Sequence, residues 1–208
     1  MVDATGPVSR TRHASGLRLH PASDPAPTVD VDGCPAVDVA TALAQVGLRS
    51  GRLPVVVALD AALHRGLTTT DDVLARVRQL CDGERPLHRT ARWVASADGA
   101  SESVGETRTR LLLHDLGFRV RSQVRIADHD GGVVARVDLL VEDRVVVEFD
   151  GLVKYAGADG RAALVAEKRR EDRLRALGFV VVRLTWRDLE HPERVARLVR
   201  AAVARVAA

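Results

Sequence analysis

Three apolar runs of strand length, about Val133–Val141, Arg144–Phe149 and Phe179–Leu184, constrain this chain more than any other feature in it. Their β-branched content suits strands, and the continuous run at 179–184 suits one buried on both faces. Only Glu142-Asp143 separates the first two, which is hairpin spacing. Between the second and third lies a helical pattern from about Ala162 to Leu177, stopped by Gly178. Strand, crossover helix and strand make a βαβ unit with parallel strands, so the predicted sheet is mixed. A further strand is predicted at about Val120–Ile126, ahead of the loop Asp128-His129-Asp130-Gly131-Gly132. Ser103-Val104-Gly105-Glu106 has the spacing of a capping box and opens a helix to Leu116, while a last helix runs from about Pro192 to Val206. The expected class is α/β (α+β), a mixed β-sheet flanked by helices and preceded by a small helical region.

Before this region the grammar differs. Helical patterns cover Ala36–Val46, ending at Gly47, then Leu53–Arg65, a helix capped by Thr70, and Pro86–Ala97. Ala97-Asp98-Gly99-Ala100-Ser101 reads as a hinge. Residues 1–30, with Pro21, Pro25 and Pro27, read as an irregular lead-in. The expected organisation is a lead-in at 1–30, a helical region at 31–98 and a second domain at 101–208.

Composition excludes several classes. With 46% hydrophobic and 28% charged residues, the 208-residue chain is not a disordered one, and no apolar run approaches the ~18 residues of a membrane span. A formal net charge of +3 does not by itself predict nucleic-acid binding. Cys34 and Cys81 stand alone, which supports neither a disulfide framework nor zinc, and none of the seven histidines has ligand spacing. The expectation is a reduced, soluble, cytoplasmic protein. Only two lysines, Lys154 and Lys168, stand among 31 basic residues.

Acidic residues inside the apolar runs carry the chemical signal. With a three-residue turn at Glu142-Asp143-Arg144, Asp138 lies directly across from Glu148, and Asp150 shares the face of Glu148. A two-residue turn would set Asp138 against Val147 instead. Three converging carboxylates repel one another unless a cation lies between them, and such oxygen ligands suit Mg²⁺ or Mn²⁺. As single residues, Asp138 reads equally as a solvated strand residue and Asp150 with Gly151 as a turn.

The ordered set Asp138, Glu148-Phe149-Asp150-Gly151-Leu152-Val153-Lys154, Glu167-Lys168-Arg169-Arg170-Glu171-Asp172 and Val182-Arg183-Leu184-Thr185-Trp186 resembles the PD-(D/E)XK nuclease superfamily. It is most similar to the branch related to very-short-patch-repair (Vsr) endonucleases, over about residues 101–190. The helical segment before the hinge resembles that of actinobacterial AbiEi-type antitoxin-like proteins. The resemblance implies a restriction-endonuclease-like core, Asp138 and Glu148 as metal ligands, and a lysine that orients the attacking water. Asp150 occupies the place of the motif lysine, which leaves Lys154 as the first choice for that role and Lys168 as the second. It also implies a site-facing Glu106, although the capping box alone accounts for that residue.

Glu167 and Arg170 share a helix stripe with Leu174 and Leu177, either facing the carboxylates or forming a surface ion pair. Gln123 is an auxiliary candidate or an edge residue, and Trp186 an auxiliary candidate or core. Lys168, Arg169, Arg170 and Arg173 are candidates for phosphate contact or a solvated face. The expected function is a Mg²⁺-dependent (or Mn²⁺-dependent) DNA endonuclease or nickase with Asp138, Glu148, Lys154, Glu106 and Asp150 in the site. The alternative is a non-catalytic, antitoxin-like or regulatory module that binds DNA or a protein partner of a toxin-antitoxin or defence system.

Overall fold

In the computed structural model, which describes residues 2–6, 8–21, 28–151 and 160–207, the chain opens with strands rather than an irregular lead-in. Strands β1 (Val2–Gly6), β2 (Arg12–Ala14) and β3 (Leu17–Pro21) form a sheet in the order β1-β3-β2, and β4 (Thr28–Val31) pairs with β5 (Cys34–Val37). Turn chemistry explains the correction. Asp32 and Gly33 adopt φ of 52° and 80°, the two positive values of a type I′ hairpin turn, which Asp-Gly favours. Pro35 and Ala36 consequently belong to β5 and not to the first helix.

Four helices follow: α1 (Val39–Ser50), α2 (Arg52–His64), α3 (Thr70–Leu80) and α4 (Glu84–Val94). Asp38 caps α1 by accepting the Thr41 N–H at 2.8 Å, and Thr69 with Asp72 forms a reciprocal capping box on α3. Helix α1 passes through Gly47 instead of stopping there. A Cβ at this position would lie 2.7 Å from the Thr90 methyl, so the glycine serves the close approach of α4. Leu43, Ala44, Leu59, Val73, Val77 and Val94 make the core of the bundle.

The linker is no hinge. Ser101 is buried, the Asp98 N–H donates to Asp60 Oδ1 at 2.7 Å, and a Cβ on Gly99 would meet Leu63 at 2.8 Å. After it, α5 (Val104–Asp115) joins the bundle to the second half. Arg110 of α5 donates to Asp60 Oδ2 and to the Ser96 carbonyl, both at 2.7 Å, and Thr107 Oγ donates to the same Asp60 oxygen. Asp60 is 1% exposed and Arg110 4%, so this ion pair is desolvated. Val55 and Val56 of α2 pack on Leu111 beside it.

Strands β6 (Val120–Ala127), β7 (Val133–Val141), β8 (Val145–Phe149) and β9 (Val180–Leu184) form the predicted mixed sheet in that order, with β8 and β9 parallel. Between them in sequence lies α6 (Gly160–Ala176), and α7 (Trp186–Leu189) and α8 (Pro192–Ala207) end the chain. One face packs Leu139, Val141, Val145, Val147 and Leu184 against Leu113 of α5 and Val195 and Val199 of α8. The other packs Val137, Leu140 and Val146 against Leu174 of α6. This mixed α+β arrangement buries β8 on both faces, as its unbroken valine run demands. No helix among the described residues is long and apolar enough to cross a membrane.

Asp60→Ala leaves buried Arg110 with only the longer 3.9 Å contact of Asp98 as counter-charge. The expected loss is about 3–5 kcal/mol of unfolding free energy, measured by urea titration.

Candidate active site

The β7–β8 hairpin turns through three residues, Val141 closing on Val145, with Glu142 and Asp143 at positive φ. Leu139 therefore pairs with Val147 at the end of the ladder, and Asp138 and Glu148 are the next residue of each strand, close enough for the Glu148 charge to act on Asp138. Glu148 in turn pairs with Arg183 on β9. On the other side, Ser122 pairs with Leu139 and Val124 with Val137, which sets Gln123 beside Asp138. Gln123, Asp138, Glu148 and Arg183 thus form one row across four strands.

At this row the alternation of the sheet breaks. Ala135 and Val137 pack towards α6, yet Leu139 and Val141, in phase with them, pack towards α5 and α8. On β6 the change falls between Val120, on the α5 side, and Val124, on the α6 side, and Gln123 between them has φ 51°. The break directs the Gln123 amide to Glu106 of α5, donating to Oε2 at 2.8 Å.

Each carboxylate of the row has a distinct environment. Asp138 is half-buried and accepts the Phe149 N–H at 3.1 Å. Its pKa is pushed up to about 6, chiefly by burial and further by the charges of Glu106 and Glu148, against the opposing Phe149 N–H and Arg170. Among the described residues, Glu148 accepts from Arg170 Nη2 at 2.7 and 2.9 Å, with Arg183 Nε at 3.5 Å. Glu167 is held by Arg170 and Arg183, and the Arg170 hydrogen bond leads the causes that lower its pKa. Buried Glu106 accepts from Ser103 Oγ, the Glu102 N–H and Gln123, so it serves the helix cap and stands near Asp138 at once.

Asp138, Glu148, Asp150, Glu167, Arg170 and Arg183 line one open pocket of about 320 Å³ together with Phe149 and Arg136. Glu167 and Arg170 accordingly face the carboxylates and are no surface pair. Asp150 shares the pocket, but among the described residues no three His, Cys, Asp or Glu side chains are grouped closely enough to hold a metal. Arg170 of α6 stands among these carboxylates, donating to Glu148. Lys154 lies outside the described residues. Lys168, Arg169 and Arg173 are exposed on α6 and do not line the pocket, whereas Arg170 does. Trp186 does not line the pocket; it is 36% exposed under the Arg108 guanidinium and edge-on to Phe149 at 4.6 Å. Arg183 belongs to the ordered set that carries the resemblance but has no role assigned from sequence, and Arg136 has no signal there. Arg183 carried the same signal as Asp138, a charge inside an apolar strand run.

Phe149 also touches α5. A Cβ on Gly105 would lie 2.1 Å from the Phe149 ring, so only glycine admits that ring beneath the first turn of the helix.

Two uncharacterized proteins of Mycobacterium tuberculosis, from strains CDC 1551 and H37Rv, are each 28% identical to this chain over 193 residues, covering 91% of it and 69% of their own length. No protein-family model matches the chain, and no solved structure matches it.

Two outcomes follow from this geometry. Gly105→Ala is expected to destabilise by about 1–3 kcal/mol in denaturant titration, because overpacking against Phe149 outweighs the ~1 kcal/mol gain in helix propensity. Asp138 has a folded pKa of about 6 against an ordinary 3.8, so the stability linked to its protonation is complete below about pH 4 and lost as pH rises through 6. In metal-free buffer, Asp138→Asn is therefore expected to raise the melting temperature near pH 8, with the gain shrinking towards pH 4 in a calorimetric series.

Proposed function

We propose that this chain is a Mg²⁺- or Mn²⁺-dependent nuclease of the PD-(D/E)XK type, related to the Vsr endonucleases, that cleaves or nicks DNA from a restriction-endonuclease-like core. The observation that carries the reading is the row itself. Two carboxylates face each other across apolar strands, one with its pKa raised, where a purely structural sheet gains nothing from them. Mg²⁺ is commonly held by one or two carboxylates with retained waters, so Asp138 and Glu148 suffice as its protein ligands. The bound ion supplies polarisation of a phosphoryl oxygen and a water of lowered pKa.

The remaining steps belong to the chain's own groups. Gln123 fixes Glu106, and the Phe149 N–H fixes the Asp138 carboxylate, so the row is preorganised. Arg170 and Arg183 are planar, permanently charged donors on the rim, suited to a phosphate once Glu148 no longer occupies them. Asp150 is an auxiliary carboxylate of the same pocket. Lys154 is assigned the water-orienting role, with Lys168 second.

One observation favours a second reading. Arg170 already neutralises Glu148, which is what a scaffold that has lost its metal would need, so a non-catalytic antitoxin-like or regulatory module is the alternative.

Calorimetric Mn²⁺ titration and plasmid nicking on the same samples separate the two. The nuclease reading expects wild-type binding that Asp138→Ala abolishes, with nicking reduced by about 100-fold or more. No metal binding and no nicking by the wild type would leave the scaffold reading.

A further inference from the structure

The site on the sheet leaves the helical region without a role, and α4 offers one. Arg85, Arg89 and Arg92 recur at i, i+4 and i+7, so they share one stripe of the helix, about 6 and 10.5 Å apart along its axis. All three are exposed, while Thr90 and Val94 on the other side are buried in the bundle. None of them forms an ion pair with a described residue. Other arginines of the described residues, such as Arg169, Arg173, Arg197 and Arg200, likewise form no ion pair there, so what sets α4 apart is the stripe and its aromatic neighbour.

What holds the stripe in place leaves its charge intact. The Arg89 guanidinium lies 5.1 Å from the centroid of the half-buried Trp93 ring, an interaction that orients the cation without neutralising it. The three arginines line a surface hollow of about 390 Å³ with His88, Trp93 and Glu84. Glu84, the one carboxylate of that lining, is turned to His88 at 3.0 Å. Residues 1–100 have no net charge, so the positive density here is a local segregation and not a property of the whole region.

We infer that the outer face of α4 is a docking surface for the phosphate backbone of a nucleic acid. Guanidinium forks match phosphate oxygens bidentately, and cations interleaved with an aromatic ring are the makeup of backbone-tracking surfaces. The fold gives the surface a purpose. Just beyond α4, the Ser96 carbonyl accepts from Arg110 of α5, the helix that also carries Glu106. A strand seated on α4 is thereby held at a fixed offset from the carboxylate row through a rigid joint. This inference takes the nucleic-acid class of partner from the proposed function, but it needs neither the metal nor cleavage.

The test is fluorescence anisotropy of labelled single- and double-stranded DNA with the full chain in metal-free buffer, across a salt series. The triple variant Arg85→Gln/Arg89→Gln/Arg92→Gln is expected to bind at least ~10-fold more weakly than the wild type and to lower the slope of log affinity against log salt by about 2–3. Its melting temperature should be unchanged, since the three side chains are exposed. In a Trp186→Phe background, Trp93 emission should change on titration and cease to do so when the triple change is added. The inference is overturned if the wild type binds no oligonucleotide, if the triple variant binds with wild-type affinity and slope, or if poly-glutamate competes as well as DNA does. Binding that depends on α4 without any metal-dependent nicking would remove the nuclease reading and leave this surface standing.

Discussion

Two carboxylates set opposite each other on neighbouring apolar strands impose a strain that the surrounding structure is arranged to meet. Asp138 and Glu148 stand near each other on neighbouring, largely apolar strands, and burial and like charge together push the Asp138 carboxyl upward. The compensation comes from three directions. The Phe149 N–H leaves the strand ladder to serve Asp138, Arg170 reaches down from α6 to Glu148, and Arg183 enters from the parallel strand. The sheet's change of alternation at the same row follows from the same demand, since a regularly pleated β6 would not aim Gln123 at Glu106.

That row depends on α5, and α5 depends on the helical region. The first turn of α5 supplies Glu106 and the glycine over Phe149, while its middle supplies Thr107 and Arg110 to the buried Asp60 of α2. Asp60 accepts from Arg110, Thr107 and the linker's Asp98 N–H, so one carboxylate closes the joint between the two halves. A domain boundary in composition is therefore no boundary in mechanics. The bundle and the sheet share α5 as a common wall, and whatever touches the bundle is positioned relative to the site.

The features legible in the sequence were those with local causes. The hairpin itself follows from polar residues between two apolar runs, although a two- and a three-residue turn both fit them, and Asp138 and Glu148 are conspicuous because their neighbours are apolar. The same rule singles out Arg183, the one charge inside Phe179–Leu184. Asp32-Gly33 is also a local turn signal, outweighed by the prolines around it. Thr185 and Asp188, a reciprocal capping box, likewise announce α7, a helix the sequence reading passed over. What could not be read had distant causes. Ala97–Ser101 has hinge composition, yet Asp60 and Leu63, more than thirty residues upstream, lock it. Nothing about glutamine marks residue 123 for positive φ, because the partner that holds it there is on another element.

The Arg170 clamp decides how the facing pair can be used. Four carboxylates and three guanidinium groups line the pocket, so the charges nearly balance without an added ion, and Arg170, tied to Glu148 and Glu167 at once, remains charged at any working pH. On the proposed nuclease reading, a cation taken up by Asp138 and Glu148 would have to displace Arg170 from Glu148, and the guanidinium so released, still held by Glu167, would be available to a phosphate. Arg170 is therefore the group whose partner must change if the pocket is to bind anything at all.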